Sequence, residues 1–200
     1  MEITLKVAGA KPLLLASIGA ADPRSWAYQR MQELRKVKSA NRTAKWYDEM
    51  EQVQFASSFY VIPDIKGVAL PAENLRRSLV EAAKATRDKP KVLRAVKCVE
   101  VAVPLMYDGW ENHWTPDDLW LRPEFRLTKM QRSSSGASPN TWPRFDPWGL
   151  HVRFDVDEEF MGEEEFYKLA DRAGRIEGLG ASRSQGYGRY AVVRPGKGQK

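Results

Sequence analysis

The residues best placed for chemistry lie near the C-terminus, in the run Gly178-Leu179-Gly180-Ala181-Ser182-Arg183-Ser184-Gln185-Gly186-Tyr187-Gly188. Glycines let a backbone come close to a ligand, and an arginine such as Arg183 binds phosphate through paired N–H bonds. A loop of this kind can turn its backbone N–H groups and its arginine toward phosphates. A dinucleotide fingerprint needs its glycines after a strand and before a helix. Here a helix comes first and a strand follows, which argues against that reading. A plain glycine-rich turn and a phosphate-contacting loop both remain open.

Catalytic candidates are sparse. His113 sits in an acidic, tryptophan-rich stretch, and His151 lies on a strand opposite its apolar side, near Arg153. A histidine can act as general acid or base, but these two match no metal-ligand spacing. The pairs Asp117-Asp118 and Asp155/Asp157 suit either Mg²⁺ or the capping of helices and turns. The single cysteine, Cys98, excludes a disulfide framework and a multi-thiolate zinc site, and is expected to be buried and inert. No Walker A or H-E-x-x-H pattern occurs. No catalytic residue, metal ligand or cofactor is assigned.

Charge points to a class of partner. Thirty-two Lys and Arg against 26 Asp and Glu give the 200 residues a net charge of +6, with a pI near 9.4 and a mean hydropathy of −0.54. That balance suits a polyanionic partner without specifying one. The charge is segregated: residues 155–165 hold seven acids and no base, whereas 172–200 hold seven bases and one acid. Residues 24–45 carry seven bases and one acid, with Trp46 and Tyr47 beside them. Those two rings can stack on bases or fill a core, and the basic cluster can equally be a solvated face.

These groups must be held by a fold. Ile3, Leu5 and Val7 alternate with polar residues as in a half-buried strand. Asp22-Pro23 reads as the start of a helix over 24–36. A second helix is expected over 42–54, and 58–62 reads as a short strand. Leu70-Pro71-Ala72-Glu73 opens a helix with Pro71 at its first position, Leu75, Leu79 and Ala82 facing the core, and Lys89-Pro90 ending it. Val99, Val101, Val103 and Leu105 alternate as a strand, with Pro104 at an edge or bulge. Residues 108–123 read as a loop whose Trp110, Trp114 and Trp120 cover a core edge. Residues 125–131 read as a strand, 133–139 as a flexible loop and 150–156 as a strand. A helix over 163–173 is capped by Gly174, and a last strand spans 189–193. No apolar run is long enough for a membrane span, and the N-terminus does not resemble a signal peptide, so a cytoplasmic protein is expected. The expected fold class is α+β. A ferredoxin-like or RRM-like core, with an antiparallel sheet backed by helices, forms a single domain over 1–200. Insertions fall at about 20–58 and 108–123, and a flexible loop at 132–144.

The segment from Gly178-Leu179-Gly180 to Gly186-Tyr187-Gly188-Arg189, between a helix and a last strand, resembles the signature loop of the RAMP superfamily. That superfamily includes the CRISPR-associated RNA-binding proteins. Leu70-Pro71-Ala72-Glu73-Asn74-Leu75-Arg76-Arg77-Ser78-Leu79 is similar to the family segment that leads through a proline into a Leu-Arg helix, although Glu73 stands where the family has a small residue. The order of elements from 125 onward looks like small phage-encoded relatives of the CRISPR backbone subunit. The resemblance covers roughly residues 58–194 and implies non-catalytic binding of single-stranded RNA or DNA, in a phage or bacterial-defence setting. It also implies homo-oligomers, with copies side by side along the strand. By position, Gly178, Gly180, Arg183, Gly186 and Gly188 line the strand's path. Arg189, Lys129, Arg132, Arg144, Lys38, Arg42, Lys45 and Arg76 complete the candidate contacts. The alternatives are a metal-independent endoribonuclease of the same superfamily, using a histidine, and a protein-docking subunit or inhibitor of a larger complex.

Overall fold

Strict alternation places Ile3, Leu5 and Val7 on one side of the first strand, where all three are buried, and Glu2, Thr4 and Lys6 on the other, where all three are exposed. The structure is a computed structural model that describes residues 1–133 and 136–194. Within them lie β1 (Glu2–Gly9), β2 (Leu13–Leu14), α1 (Trp26–Arg35), α2 (Ala44–Ser57), β3 (Ala69–Pro71), α3 (Ala72–Lys84), α4 (Lys89–Ala95), β4 (Val96–Cys98), β5 (Ala102–Pro104), β6 (Met106–Tyr107), α5 (Pro116–Trp120), β7 (Arg126–Ser133), β8 (Gly136–Phe145), β9 (Trp148–Val156), α6 (Glu163–Ile176) and β10 (Tyr190–Val193).

The chain is α+β with antiparallel sheets backed by helices. The main sheet runs β10-β1-β9-β4, with β6 also paired to β9, and every pairing is antiparallel. Its buried face carries Leu5, Leu150, Val152, Phe154 and Val156, packed with Leu75 and Leu79 of α3 and Phe166 and Ala170 of α6. Two contacts fix the helices on that face. The Phe154 and Phe166 rings are 5.7 Å apart, and the buried hydroxyls of Ser78 and Tyr190 hydrogen-bond at 3.2 Å. The opposite face is exposed and polar, with Thr4, Lys6, His151 and Arg153 along its two central strands.

A second sheet, β2-β8-β7, packs against α2. Beyond its two residues paired to β2, the edge of β8 is closed by a side chain. Gln54 donates to Pro139 O and accepts from the Thr141 N–H, both at 2.9 Å. Helices α1 and α2 share a small core of their own, built from Met31, Leu34, Trp46, Met50 and Val53. The buried Trp46 indole N–H donates to Leu34 O at 2.9 Å, which settles its use as core. No helix among the described residues is long and apolar enough to cross a membrane.

Several expectations are corrected. The cap of α1 is Ser25, which accepts the Tyr28 N–H, while Asp22 binds the backbone and side chain of Arg24. Residues 58–62 leave α2 without forming a strand, because Phe59 turns into the core and Val61 stays 92 % exposed. Pro71 stands at the cap of α3 rather than inside it, and α3 ends earlier, at Lys84, while Lys89-Pro90 begins α4. The valine alternation breaks at 99–101, where Val101 is exposed, leaving β4 and β5 as separate short strands. Part of the 108–123 segment is helical: Thr115 and Asp118 form a reciprocal cap for α5. The segment 132–144, expected as a flexible loop, is strand in its described part, the end of β7 and then β8, and residues 134–135 lie outside the described residues. Gly174 lies inside α6, packed so tightly that a β-carbon on it would be 2.2 Å from Tyr190 O.

Candidate nucleic-acid interface

The glycine-rich segment is held by its own backbone. Gly178, at φ 68°, ends α6 and donates its N–H to Ala173 O at 3.0 Å. From there Leu179 N–H reaches Gly188 O at 2.9 Å, Ala181 N–H reaches Leu14 O at 2.8 Å, and Gly188 N–H reaches Pro12 O at 2.8 Å. The fit excludes side chains. A β-carbon would sit 1.9 Å from Leu179 O at Gly188 and 2.2 Å from Leu14 O at Gly180. Gly178, Gly180 and Gly188 are therefore spent on packing the loop against residues 12–14 and against itself. Gly186 differs: its φ is 89° and nothing lies within 4 Å of its β-position. The product is a fixed shelf from which the exposed Arg183 side chain projects.

That shelf forms one wall of a cleft of about 580 Å³ between α3, α4 and the loop. Gly178, Gly180, Arg183 and Arg76, four of the candidate residues, line it together with Arg77 and Lys89. The two segments quoted for the family resemblance thus face each other across one cavity. Arg76 is committed to structure: it donates to Val96 O at 2.6 Å, to Leu93 O at 3.2 Å and to Glu73, tying α3 to α4 and β4. Glu73 pairs with Arg76 and Glu81 with Lys84. Arg77, Lys89 and Arg183 form no ion pair among the described residues. The Lys84 hydrogen bond holds the Glu81 carboxyl below its usual range against the opposing effect of burial, and the charges of Lys84, Lys89 and Arg183 add to it. Cations from α4 and from the loop therefore converge on one side of α3.

Arg183 also borders a second concavity, of about 430 Å³, with Ile176, Glu177, Ser182, Ser184 and Arg189. Arg189 donates to Arg183 O at 3.3 Å, and its second terminal nitrogen is buried without a partner. Lys129 joins the loop from the second sheet, with its ammonium 2.9 Å from Gln185 Oε1 and 4.8 Å from the Tyr187 ring centre. The loop residues, Arg76 and Lys129 thus form one neighbourhood.

The remaining candidates lie in other settings. Arg42 donates to Ala137 O at 2.9 Å and stacks on Trp46 at 4.4 Å, so it holds β8 to α2. Lys38 and Lys45 are exposed beside it, where α1 meets α2. Arg144 pairs with Asp146 at 3.1 Å. The Arg132 side chain lies outside the described residues. Sequence reasoning did not single out Arg77 or Lys89 as contacts. Their signal is faint, because it rests on a helix beginning at Lys89, where the proline reads as a terminator.

Neither histidine lines the cleft. His113 is exposed at φ 52°, following a short 3-10 turn. His151 stands on the exposed sheet face opposite Lys6, and burial followed by the Lys6 charge lowers its pKa. On the same face Arg153 is taken up by Glu100 and Glu2. Asp118 is used in the cap of α5, Asp157 accepts the Glu159 N–H, and no cluster able to hold a metal ion occurs among the described residues. Cys98 is half-buried rather than buried, with its thiol pushed up to about 11 by burial and then by the Glu73 charge. No protein-family model matches the chain, and a search of curated proteins finds no matching relative.

Proposed function

We propose that this chain binds single-stranded nucleic acid without catalysis, along the cleft between α3, α4 and the glycine-rich loop. The observation that carries the reading is the convergence of Arg77, Lys89 and Arg183 on one cavity from three separate elements, none of them in an ion pair among the described residues. Flexible phosphates neutralise such cations and release counterions, so no fixed base sequence is required. The loop that carries Arg183 is locked by backbone packing, so little conformational freedom is lost on binding.

A ferredoxin-like or RRM-like core is part of the proposal. It is supported by the succession β1, α3, β4, β9, α6, β10 and by the sheet order β10-β1-β9-β4. The exposed sheet face offers Thr4, Lys6, His151 and Arg153 but no aromatic residue on β1 or β9, so stacking of bases on the sheet has no support there. The strand's route runs past the helices instead. Assembly of several copies along one strand rests on the family resemblance and is read from complex mass against oligonucleotide length.

Fluorescence anisotropy with unstructured oligouridylate and oligothymidylate tests the reading. The expected result is binding at low salt that weakens steeply as salt rises and is lost in Arg183→Glu. Absence of binding to both oligonucleotides at low salt overturns it.

A further inference from the structure

The cleft is basic on one side and apolar on another. Ile18 is 86 % exposed and Leu93 38 % exposed, and both line it with Tyr60. The Tyr60 ring is held at the wall by two bonds. Its hydroxyl donates to Ala16 O at 3.1 Å and accepts from Asn74 Nδ2 at 3.1 Å. The Asn74 carbonyl oxygen makes no hydrogen bond among the described residues, and Asn74 also lines the cleft. Phosphates alone gain nothing from an exposed isoleucine, a leucine and an oriented phenol ring. A ligand that is anionic at one end and flat and apolar at the other uses the whole lining. About 580 Å³ lies within the range of about 300–1,000 Å³ typical of small-molecule sites.

We propose that the cleft seats one base of the bound strand against Tyr60, Ile18 and Leu93. Arg77, Lys89 and Arg183 hold the flanking phosphates, and Asn74 faces the base's polar edge. This rests on the nucleic-acid reading and adds a base subsite to it. Each copy of the chain then grips a nucleotide through its base as well as its charge, and Asn74 is positioned to favour some bases over others.

Anisotropy titrations of oligothymidylate and of an abasic oligonucleotide of equal length separate the two levels. The wild-type protein is expected to bind the abasic strand at least about fivefold more weakly, the lower end of what one stacked base supplies. Tyr60→Leu and Ile18→Ala are expected to narrow that gap by weakening oligothymidylate binding more than abasic binding. Ile18 is exposed, so its replacement leaves the core intact and keeps the test valid if the Tyr60 variant folds poorly. A 5-iodouracil strand is expected to photo-cross-link to Tyr60. Equal affinity for the two strands, with salt dependence retained, overturns the base subsite and leaves the strand-binding reading standing. Competition by polyglutamate as effective as by oligothymidylate also overturns it, since it marks a general polyanion surface. Failure of both strands to bind removes the subsite together with the reading beneath it.

Discussion

Gly180 lies so close to Leu14 that a β-carbon on it would be 2.2 Å from the Leu14 carbonyl oxygen, while the Ala181 N–H donates to that same oxygen at 2.8 Å. The glycine-rich loop is thereby fastened to β2, and its shape does not depend on a ligand.

Alanine substitutions at the glycines should therefore separate. Gly180→Ala and Gly188→Ala combine a left-handed backbone with a backbone clash, and each is expected to cost about 2–5 kcal/mol. Gly186→Ala meets no neighbour and retains only the positive-φ cost of about 1–2 kcal/mol. Urea denaturation midpoints check the order; equal losses at all three positions would contradict the packing role.

Glu81 is an acid on the wall of a basic cleft, and its negative charge opposes a polyanion. Glu81→Gln is expected to strengthen oligonucleotide binding about two- to fivefold at low salt and to lose that advantage as salt screens the cleft. Titrations of wild type and variant at two ionic strengths provide the comparison.

Cys98 should react slowly. Burial and then the Glu73 charge raise its thiol to about 11, against an ordinary value of 9.0, so little thiolate exists at pH 8. The folded protein is expected to react with a disulfide reagent about 10- to 100-fold more slowly than the urea-unfolded chain. Equal rates would show that the thiol is not shielded.

His151 supplies a pH dependence of defined sign. Burial and then Lys6 lower its folded pKa, so the unfolded chain takes up this proton first as pH falls. The stability tied to neutral His151 is complete above about 6.5 and declines as pH drops toward the folded value. NMR titration should place the imidazole midpoint below 6.5, and Lys6→Ala should raise it.

Much of the fold is legible in the residues. Alternation marks β1 and β9 because one face of the main sheet is buried and the other wet, and the apolar stripe of α6 follows from Phe166, Ala170 and Ala173. Strand β8 is not legible, because its Gly, Ser and Pro residues carry turn signals. The part of its edge that β2 leaves unpaired is completed by Gln54, which lies 87 residues before Thr141. The candidate site was legible in half. The glycine loop announces itself, but its glycines serve packing, and the unpaired cations opposite Arg183 come from α3 and α4, which only the tertiary fold brings near. Arg42 and Arg76 look like free charge in the sequence and are consumed by carbonyls at Ala137, Leu93 and Val96.

The central claim is that Arg77, Lys89 and Arg183 bind the phosphates of a single strand, and the salt dependence of affinity measures that directly. For single strands the slope of log affinity against log salt is about −0.7 per phosphate neutralised. Replacing all three by alanine is expected to flatten the slope by about 2 and to weaken binding at low salt. Replacing the exposed Arg35, Lys36 and Lys38 by alanine should leave the slope close to wild type. A cleft triple variant that keeps the wild-type slope, or a slope that flattens only in the Arg35, Lys36 and Lys38 variant, would contradict the account.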